Sequence, residues 1–365
     1  MTNKETKEIK LRLPAEWEPQ DAVMLAWPHE LTDWEYMLDE VRACYINIAK
    51  AIVKHARLIV VAPDCIEAKK ALSDIEGDRV MYLDIDTNDT WARDFGAILT
   101  VDDKGEIIVN DFKFNGWGLK FAANLDNLVT RKMWDKGVWS GRYNNCLGFV
   151  LEGGSIESDG EGTLLTTSEC LLSPNRNGDL TREEIETRLC TTFGADKVMW
   201  LDHGALAGDD TDSHIDTLAR LAPGDTIMYV GCDDPEDMHY ESLKKMEEQI
   251  LALRRKDGLP YNCIALPLPD AIYDEDGERL PATYANFLIL NDAVLVPIYG
   301  QKRKDELALQ MMKIVFPEHE IIGIDCNALI KQHGSLHCVT MQLMQCTMHN
   351  AQCTMHNAQC TMHNE

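Results

Sequence analysis

The sequence predicts an α/β fold in which about five similar helix-and-strand units are arranged radially. Five times a helical pattern is followed by a short, continuous apolar strand, and two of these strands are nearly the same string, VMYLD at 80–84 and VMWLD at 198–202. Recurring units of this kind form either a doubly wound sheet or a radial array. The loop G-x-G-x-x-G of doubly wound nucleotide-binding folds does not occur in the sequence, which favours the radial array.

The boundaries of the units follow the change from a helical to an extended apolar pattern. Continuous apolar runs are typical of strands that are buried on both faces. Helices are predicted over 33–54, 65–76, 181–193, 236–257 and 303–315, and the strands that follow them over 57–63, 80–86, 197–203, 263–269 and 320–325. Hairpins are predicted over 96–109 and 285–298, the second with Asn291-Asp292 at its turn. No linker rich in Pro, Gly or Ser divides the chain, so one domain over 1–344 is predicted.

Composition and charge exclude several classes of protein. Lys and Arg number 35 and Asp and Glu 61, a formal net charge of −26, which repels nucleic acid and attracts a cationic substrate. No stretch reaches 18 apolar residues, so no membrane span is predicted. The first ten residues contain no apolar run, so no secretory signal is predicted and a cytoplasmic location is expected.

The cysteines do not have the spacing of a disulfide framework. Thiols stay reduced in the cytoplasm, and an isolated cysteine is usually a small buried apolar residue. That is the prediction for Cys44, Cys65, Cys146, Cys170, Cys190, Cys232, Cys263 and Cys326. No C-x-x-C pair occurs in this part of the chain, so a structural zinc site is not expected.

Four stretches carry residue types that are common in catalysis. They are NDTWARDFGA with Asp94, VLEGGSIESDG with Glu152, GDDTDSHIDTLAR with His214 and Asp216, and QHGSLHC with Cys338. On a strand, the spacing of His214 and Asp216 would direct both side chains to one face. Taken singly, Asp94 suits an ion pair, Glu152 a turn, His214 the core, and Cys338 a buried thiol or a metal ligand. Together they supply the thiol, imidazole and carboxylates that covalent catalysis on a cationic carbon needs.

Five ordered motifs resemble those of the agmatine deiminases, a branch of the guanidine-modifying pentein superfamily. They are NDTWARDFG, FNGWGLKF, LEGGSIESDGEGTLLTTSECLLSPNRN, GDDTDSHIDTLARL and GSLHCVT, and the similarity runs from about residue 10 to 342. The resemblance implies a five-bladed α/β propeller that needs no cofactor or metal and forms a homo-oligomer, with a dimer favoured. In QHGSLHC the chain departs from the GGGNIHC of many relatives, and His333 stands where they have a glycine.

The resemblance also implies an activity and a role for each candidate residue. The expected reaction is hydrolysis of agmatine, a small cationic substrate, to N-carbamoylputrescine and ammonia. Cys338 is expected to be the nucleophile and His214 the general acid and base. Glu152 is expected to be the carboxylate partner of His214, and Asp94 and Asp216 are expected to bind the guanidinium group.

Further candidates concern the far end of the substrate. Trp91 and Trp117 are either core residues or the apolar walls around the methylenes of the substrate. Asp210 is the candidate for its distal ammonium group. Arg93, beside Asp94, is expected to form a structural ion pair away from the pocket, because adjacent strand residues face opposite sides.

Residues 345–365 repeat QCTMHNA and are expected to lie outside the fold. Cys346-x-x-His349 and its copies offer an alternative interpretation, the binding of a soft metal ion. Two other functions remain open for the whole chain. One is a deiminase of free arginine or peptidyl-arginine, and the other is a non-catalytic pentein that binds a partner, against which the presence of all five catalytic residues argues.

Overall fold

A computed structural model describes residues 10–75 and 77–347 and places their strands in five small sheets. The strands are β1 (Leu11–Arg12), β2 (Ala22–Ala26), β3 (Arg57–Ala62), β4 (Val80–Asp84), β5 (Ile98–Asp102), β6 (Ile107–Lys113), β7 (Arg142–Val150), β8 (Ile156–Ser158), β9 (Thr163–Thr167), β10 (Lys197–Leu201), β11 (Ala219–Ala222), β12 (Thr226–Gly231), β13 (Asn262–Pro267), β14 (Leu288–Leu290), β15 (Ala293–Ile298), β16 (Glu320–Asp325) and β17 (Met341–Leu343). The α-helices are α1 (Leu38–His55), α2 (Ile66–Ala71), α3 (Ala92–Phe95), α4 (Gly116–Leu119), α5 (Val129–Asp135), α6 (Ser168–Leu171), α7 (Pro174–Asn177), α8 (Arg182–Phe193), α9 (Ile215–Leu218), α10 (Tyr240–Ala252), α11 (Lys302–Val315) and α12 (Asn327–Ile330). Within the described ranges, none of these helices has the length and apolar character to cross a membrane.

The five sheets share one plan, in which an antiparallel pair of strands is extended by a strand parallel to one of them. The pairs and their parallel strands are β5–β6 with β7, β8–β9 with β10, β11–β12 with β13, β14–β15 with β16, and β17–β2 with β3. Each parallel strand follows a connection that contains a helix, because a short turn cannot join parallel strands. The predicted α/β class and the recurring helix-and-strand unit are therefore confirmed.

The predicted elements are found, with shifts at their ends. The strands β3, β10 and β16 and the helices α1, α8 and α11 lie within a few residues of their predicted positions. Helix α8 begins with a capping box between Thr181 and Glu184 and ends before Gly194, which has a φ of 63°. Helix α10 is shorter than the predicted 236–257, because turns occupy the residues before Tyr240. Both hairpins are present, and Asn291 has a φ of 47° at the turn of the second.

Apolar side chains fill the space between the sheets and their helices. On α1, Val41, Tyr45, Ile48 and Ile52 recur at helical spacing, and all four are fully buried. This face packs against β3 and β16. Helix α1 therefore packs between the sheet β17–β2–β3–β4 and the sheet β14–β15–β16.

A group of buried charges lies where several sheets meet, and we call it the central ion cluster. It consists of Glu16, Glu157 on β8, Arg220 on β11, and His337 before β17. Arg220 donates to Glu157 Oε1 at 2.5 Å and to Glu16 Oε2 at 2.8 Å, and His337 Nε2 lies 2.7 Å from Glu16 Oε2. The cluster fixes the segments that carry the candidate site.

The sheet β17–β2–β3–β4 pairs the last described strand with a strand near the N-terminus. Strand β17 pairs antiparallel with β2, with Met341 opposite Met24. Beyond it, Cys346 N donates to Asp21 Oδ2 at 3.0 Å, and Thr347 N donates to Val138 O at 2.9 Å. Contacts with the fold thus extend three residues past the predicted boundary at 344. The rest of the repeat and its metal hypothesis lie outside the described residues.

The described cysteines are free, as predicted from their spacing. Eight of them were expected to act as small apolar residues. Six of these are buried and two, Cys190 and Cys263, are half-buried. The prediction that these thiols fill the core is confirmed.

Candidate active site

The five candidate catalytic residues lie in equivalent segments, each just before a strand of an antiparallel pair. Asp94 lies in α3 before β5, and Glu152 lies before β8. His214 and Asp216 lie at α9 before β11, and Cys338 lies before β17. Because the units share one plan, these segments occur at the same place in each sheet and face one region.

Gly154 shows how closely the segments approach one another. A Cβ atom at Gly154 would lie 2.7 Å from His214 Nδ1, 2.8 Å from Asp94 Oδ1 and 3.1 Å from Asp216 Oδ2, so no larger side chain fits. Gly154 N donates to Asp94 Oδ1 at 3.0 Å, and His214 Nδ1 lies 3.6 Å from the same oxygen. Three of the predicted side chains therefore surround one glycine.

A cavity of about 140 Å³ opens in front of these residues, and we call it the site cavity. It is lined by five predicted residues, Trp91, Asp94, Trp117, Asp210 and Cys338. The further lining residues are Asp33, Asp89, Phe121, Asp209, Thr211, Thr217, Gln332, His333 and Gly334. Five of the lining side chains are carboxylates, and in the described part of the chain neither Lys nor Arg lines the cavity. Its electrostatic character suits a cation.

Asp94 is a buried carboxylate that lacks a cationic partner. Its Oδ2 accepts a hydrogen bond from Trp117 Nε1 at 2.9 Å, and its Oδ1 accepts from Gly154 N. Burial, and then the charge of Asp216, raise the pKa of Asp94 well above its usual value. A bound cation would reverse this effect, since it would stabilise the charged form.

Asp216 has one oxygen bound and one free. Its Oδ2 lies 2.7 Å from His337 Nδ1, while its buried Oδ1 has no hydrogen-bond partner among the described residues. Burial alone would raise the pKa of Asp216, but the hydrogen bond and charge of His337 outweigh it and lower the pKa. Asp216 is thus an ionised carboxylate whose Oδ1 is free to accept a hydrogen bond from a ligand.

His214 is the N-cap of the short helix α9, so the condition of a strand at this motif is not met. A four-residue helix is too short to give a periodic pattern. His214 N donates to Thr211 Oγ1 at 3.1 Å, which fixes the turn. Burial lowers the pKa of His214 to about 3, so its ring is neutral in the free protein. Its Nε2 has no partner among the residues that the structure describes.

Glu152 is held by an arginine rather than by the histidine. Arg176 Nε lies 2.9 Å and 3.1 Å from the two oxygens of Glu152, and Arg176 Nη1 donates to Asp212 Oδ2 at 2.6 Å. Glu152 and His214 lie within 4.8 Å of each other, but no hydrogen bond joins them in the described chain. Burial raises the pKa of Glu152 despite Arg176. Glu152 can therefore act on His214 through its charge and its packing.

Cys338 is a buried thiol next to an asparagine that the sequence analysis missed. Its Sγ lies 3.4 Å from Asn286 Oδ1, which also accepts from His337 N at 2.9 Å. Burial, and then the charges of Asp216 and Asp94, raise the pKa of Cys338 well above its usual value. Asn286 lies two residues before β14, so it occupies the segment equivalent to those of the other candidates, and only the shared plan of the units could have indicated it.

Trp91 and Trp117 form adjoining walls of the site cavity. Their rings meet edge to face at 6.5 Å. A Cβ atom at Gly334 would lie 2.1 Å from the ring of Trp91, so the glycine lets the loop before Cys338 lie flat against it. His333, where many relatives are expected to have glycine, has a φ of 66°, a conformation that glycine adopts without strain.

Asp210 and Arg93 lie where their predicted roles require, although for Arg93 the reason was different. Asp210 lines the site cavity, 3.9 Å from His333 Nε2. Arg93 is only 3% exposed, points away from that cavity, and lies 3.8 Å from Glu16 Oε2. It belongs to the short helix α3, so the strand argument for its direction was wrong. The ion pair that was expected is present.

Two groups of described residues have the spacing of metal ligands. They are Glu152, Cys170 and His214 in one group and Glu16, Glu157 and His337 in the other. Arg176 already binds the carboxylate of the first group, and Arg220 binds both carboxylates of the second. A dication at either place would have to displace or tolerate an arginine.

Three comparisons relate this geometry to known proteins. The family model of the Porphyromonas-type peptidyl-arginine deiminases matches residues 12–343. A curated protein of Marinomonas sp., named "Putative agmatine deiminase", is 35% identical over 91% of this chain and 94% of its own length.

Two solved structures are similar over almost the whole chain. One, from Porphyromonas gingivalis and named "Putative Arginine Deiminase", is 52% identical with a TM-score of 0.87 and covers 92% of this chain and 99% of its own. The other, an agmatine deiminase of C. jejuni with its substrate bound, is 38% identical with a TM-score of 0.86 and covers 94% and 99%. The chain belongs to the family of the Porphyromonas-type peptidyl-arginine deiminases.

Proposed function

We propose that the protein is an agmatine deiminase, which hydrolyses agmatine to N-carbamoylputrescine and ammonia through a covalent intermediate on Cys338. The observation that carries the proposal is the site cavity itself. The buried thiol of Cys338 and the carboxylate of Asp94 line it. Asp216 does not line it but lies beside Asp94 at Gly154, and neither carboxylate has an arginine or lysine partner among the described residues. A guanidinium group supplies the missing positive charge.

Asp94 and Asp216 bind the guanidinium in this proposal. The planar group presents its N–H donors as forks, which match carboxylate oxygens. The free Oδ1 of Asp216 is an acceptor for one of them. With its nitrogens held by the two carboxylates, the central carbon is presented to Cys338 Sγ.

The first half of the reaction forms the bond between sulfur and carbon. The raised pKa of Cys338 and the lowered pKa of His214 mean that the free protein holds a thiol and a neutral imidazole. The bound cation favours net transfer of the thiol proton to His214. The thiolate attacks the central carbon, and the imidazolium of His214 gives its proton to the departing nitrogen, which leaves as ammonia.

The second half of the reaction breaks that bond. His214, now neutral, takes a proton from a water molecule, whose oxygen attacks the thiouronium carbon. The carbon–sulfur bond breaks, the ureido product forms, and Cys338 is released. Glu152 stabilises the charged form of His214 at each step, held in place by Arg176.

Agmatine differs from arginine by the carboxylate at the far end. Trp91 and Trp117 would pack on the methylenes, and Asp210 would face the distal ammonium group. A substrate carboxylate would meet Asp210 and the other lining carboxylates without a basic partner. Such desolvation without a partner costs several kcal/mol, so discrimination of about 10² or more is expected.

A five-bladed α/β propeller is the arrangement that we propose for the five sheets. The shared plan of the sheets supports it, and so does the pairing of β17 with β2, which joins the ends of the described chain. Each sheet then places one pre-strand segment at the common centre. In this arrangement Asp94, Glu152, Asp216, Asn286 and Cys338 are equivalent by position.

The second candidate is a deiminase of arginine or peptidyl-arginine, which the names of the family and of the P. gingivalis structure favour. The deciding experiment measures kcat/KM for ammonia release from agmatine, arginine and a peptidyl-arginine side by side. We expect agmatine to exceed the others by about 10² or more. In Asp210→Asn the ratio of kcat/KM for agmatine to kcat/KM for arginine should decrease. A native enzyme that prefers arginine or the peptide would refute the proposal.

A further inference from the structure

His333 is the residue at which this chain departs from the glycine expected in many relatives, and it lines the site cavity. Its φ of 66° lies in the left-handed region, which glycine adopts without strain and histidine adopts at a cost in free energy. Strain of this kind persists only where the surrounding structure maintains it, and it is common at ligand-binding sites. The imidazole of His333 is therefore a candidate for a role in the site.

One nitrogen of the His333 ring is engaged within the protein. Its Nδ1 lies 2.8 Å from the backbone oxygen of Gly208. A carbonyl oxygen only accepts hydrogen bonds, so Nδ1 is the donor, and in the neutral ring Nε2 is then an acceptor. This hydrogen bond joins the loop before Cys338 to the loop before His214 and fixes the direction of the ring between them.

The other ring nitrogen lies near the carboxylate of Asp210. His333 Nε2 and Asp210 Oδ2 are 3.9 Å apart, too far for a hydrogen bond between the two groups. A nitrogen donor at about 2.9 Å from each of these atoms would bridge them. An ammonium group has three N–H donors, so it can donate to both acceptors at once. The two side chains are thus spaced to share one ammonium group.

The lysine that contacts this loop does not neutralise Asp210. Lys120 Nζ donates to the backbone oxygen of Asp210 at 2.6 Å, but its ion pair is with Asp212 Oδ1, also at 2.6 Å. In the described part of the chain, the one ion-pair contact of the Asp210 carboxylate is the 3.9 Å approach of His333. A cationic ligand would therefore find this carboxylate without a lysine or arginine partner.

We propose that His333 is a specificity residue of the site cavity, which binds the distal ammonium group of the substrate together with Asp210. This role rests on the deiminase activity proposed above and adds a second ligand to the one predicted for that group. In the neutral ring Nε2 accepts from an ammonium group and has no hydrogen to offer to the carboxylate of arginine. A glycine at this position would leave Asp210 without that help. His333 therefore strengthens the preference for a guanidine that carries a distal cation.

Two substitutions remove the ring without straining the loop. His333→Gly gives the residue expected in many relatives, and His333→Asn keeps a Cβ atom in a left-handed conformation that asparagine tolerates. The substrates are agmatine and pentylguanidine, in which a methyl group replaces the ammonium group. At about pH 8.5, where an ordinary imidazole is neutral, both variants should lower kcat/KM for agmatine about tenfold, mainly through KM. The value for pentylguanidine should stay within about twofold of that of the native protein.

His203→Asn, at an exposed histidine outside the site cavity, is the matched control and should behave as the native protein. A change in loop conformation alone would alter kcat/KM for both substrates by the same factor, whereas loss of an ammonium ligand alters only the value for agmatine. Equal changes for the two substrates, or an unchanged value for agmatine, would overturn the assignment.

Binding measured by calorimetry separates the role of His333 from the proposed activity. In the Cys338→Ser protein, the further change His333→Gly should raise the Kd of agmatine about tenfold and leave that of pentylguanidine unchanged. This result, together with no ammonia release from agmatine by the native protein, would refute the deiminase and support His333 as an ammonium ligand. Ammonia release by the native protein, together with a Kd of agmatine that His333→Gly does not change, would refute the role of His333 alone.

Discussion

Asp94 at the site cavity and Glu16 in the central ion cluster are both buried carboxylates, but their pKa values shift in opposite directions. Asp94 is 4% exposed and Glu16 is 8% exposed. Burial raises the pKa of Asp94 well above its usual value. At Glu16 the same effect of burial is outweighed by Arg220 and His337, which lower the pKa. The difference is the partner. Arg220 binds Glu16, whereas no arginine or lysine of the described chain binds Asp94, which is left for a ligand.

His337 connects the central ion cluster to the candidate site. Its Nε2 lies 2.7 Å from Glu16 and its Nδ1 2.7 Å from Asp216. Arg220 Nη2 also lies 3.2 Å from His337 Nε2. The contact with His337 lowers the pKa of Asp216 on the site side, and Glu16 lies against the other side of the same ring. Asp216 is thereby ready to bind a cation before the substrate arrives.

The largest expected effect is at the nucleophile on the site side. Cys338→Ser should lower kcat for ammonia release by about 10⁴-fold or more, because a hydroxyl is a far weaker nucleophile than a thiolate. Quenching the native reaction should trap an adduct on the peptide that contains Cys338. Cys65→Ala, at a buried thiol outside the site cavity, is the control and should keep its activity. Substantial turnover by the serine variant would contradict the mechanism.

Glu16→Gln should show that the cluster carboxylates act on stability. The change removes one of the two carboxylates that bind Arg220 and leaves Glu157 as its remaining partner, at a cost of about 3–5 kcal/mol in the free energy of unfolding. Because the pKa of Glu16 is lowered by folding, its contribution is present above about pH 4.5 and is lost as the pH falls. Urea unfolding at neutral and acidic pH should show that the difference in free energy of unfolding between the native protein and the variant decreases as the pH falls. Equal free energies of unfolding of the two proteins at neutral pH would contradict a stabilising role for Glu16.

Asp94→Asn should have the opposite outcome, with activity lost and stability kept. The amide cannot form charge-assisted hydrogen bonds with a guanidinium, each worth about 1.5–3 kcal/mol, so kcat/KM should fall by about 10²–10³. The free energy of unfolding should stay the same or rise, since burial and Asp216 make the ionised form of Asp94 unfavourable in the folded state and an amide does not ionise. The same urea titration and ammonia assay measure both quantities. A marked loss of stability would mean that Asp94 is compensated within the protein after all.

The pH dependence gives a finer test of the same carboxylate. In the free protein the raised pKa of Asp94 favours its protonated form, and a bound cation favours its ionised form. The thiol proton of Cys338 passes to His214, so that step releases no net proton. We therefore expect kcat/KM to rise with pH by up to about tenfold per unit below the pKa of Asp94. Calorimetry in buffers of different ionisation enthalpy should show one proton released on binding, and Asp94→Asn should flatten the profile. A profile that falls with pH over this range would exclude the assignment.

The sequence predicted the elements with long patterns and the residues within motifs. Helices such as α1 and strands such as β16 were located by periodicity, and Cys338 and Asp94 by resemblance. The short helix α3 was taken for a strand in the argument about Arg93, and neither α3 nor α9 was predicted, because four residues give too short a helical pattern.

Contacts between distant parts of the chain could not be predicted. Glu16 and His337 lie 321 positions apart, and no local pattern joins them. The same holds for Asn286 beside Cys338 and for Arg176 on Glu152, where the histidine had been expected to be the partner. Each of these depends on how the sheets are assembled, which a linear pattern does not encode.

The smallest expected effect is at the C-terminus, which lies beyond both carboxylate sets. Deleting residues 348–365 should change neither kcat/KM nor the free energy of unfolding, since the family match ends at 343. Deleting from Gln345 should leave turnover nearly unchanged but cost about 1–2 kcal/mol of stability. It removes the hydrogen bonds of Cys346 and Thr347 to Asp21 and Val138 together with the buried side chain of Cys346. Ammonia assays and urea titrations of the two truncations, with and without a chelator, separate these effects. Activity that is lost on the shorter deletion and restored by a metal ion would instead support metal binding by the CTMHN repeat.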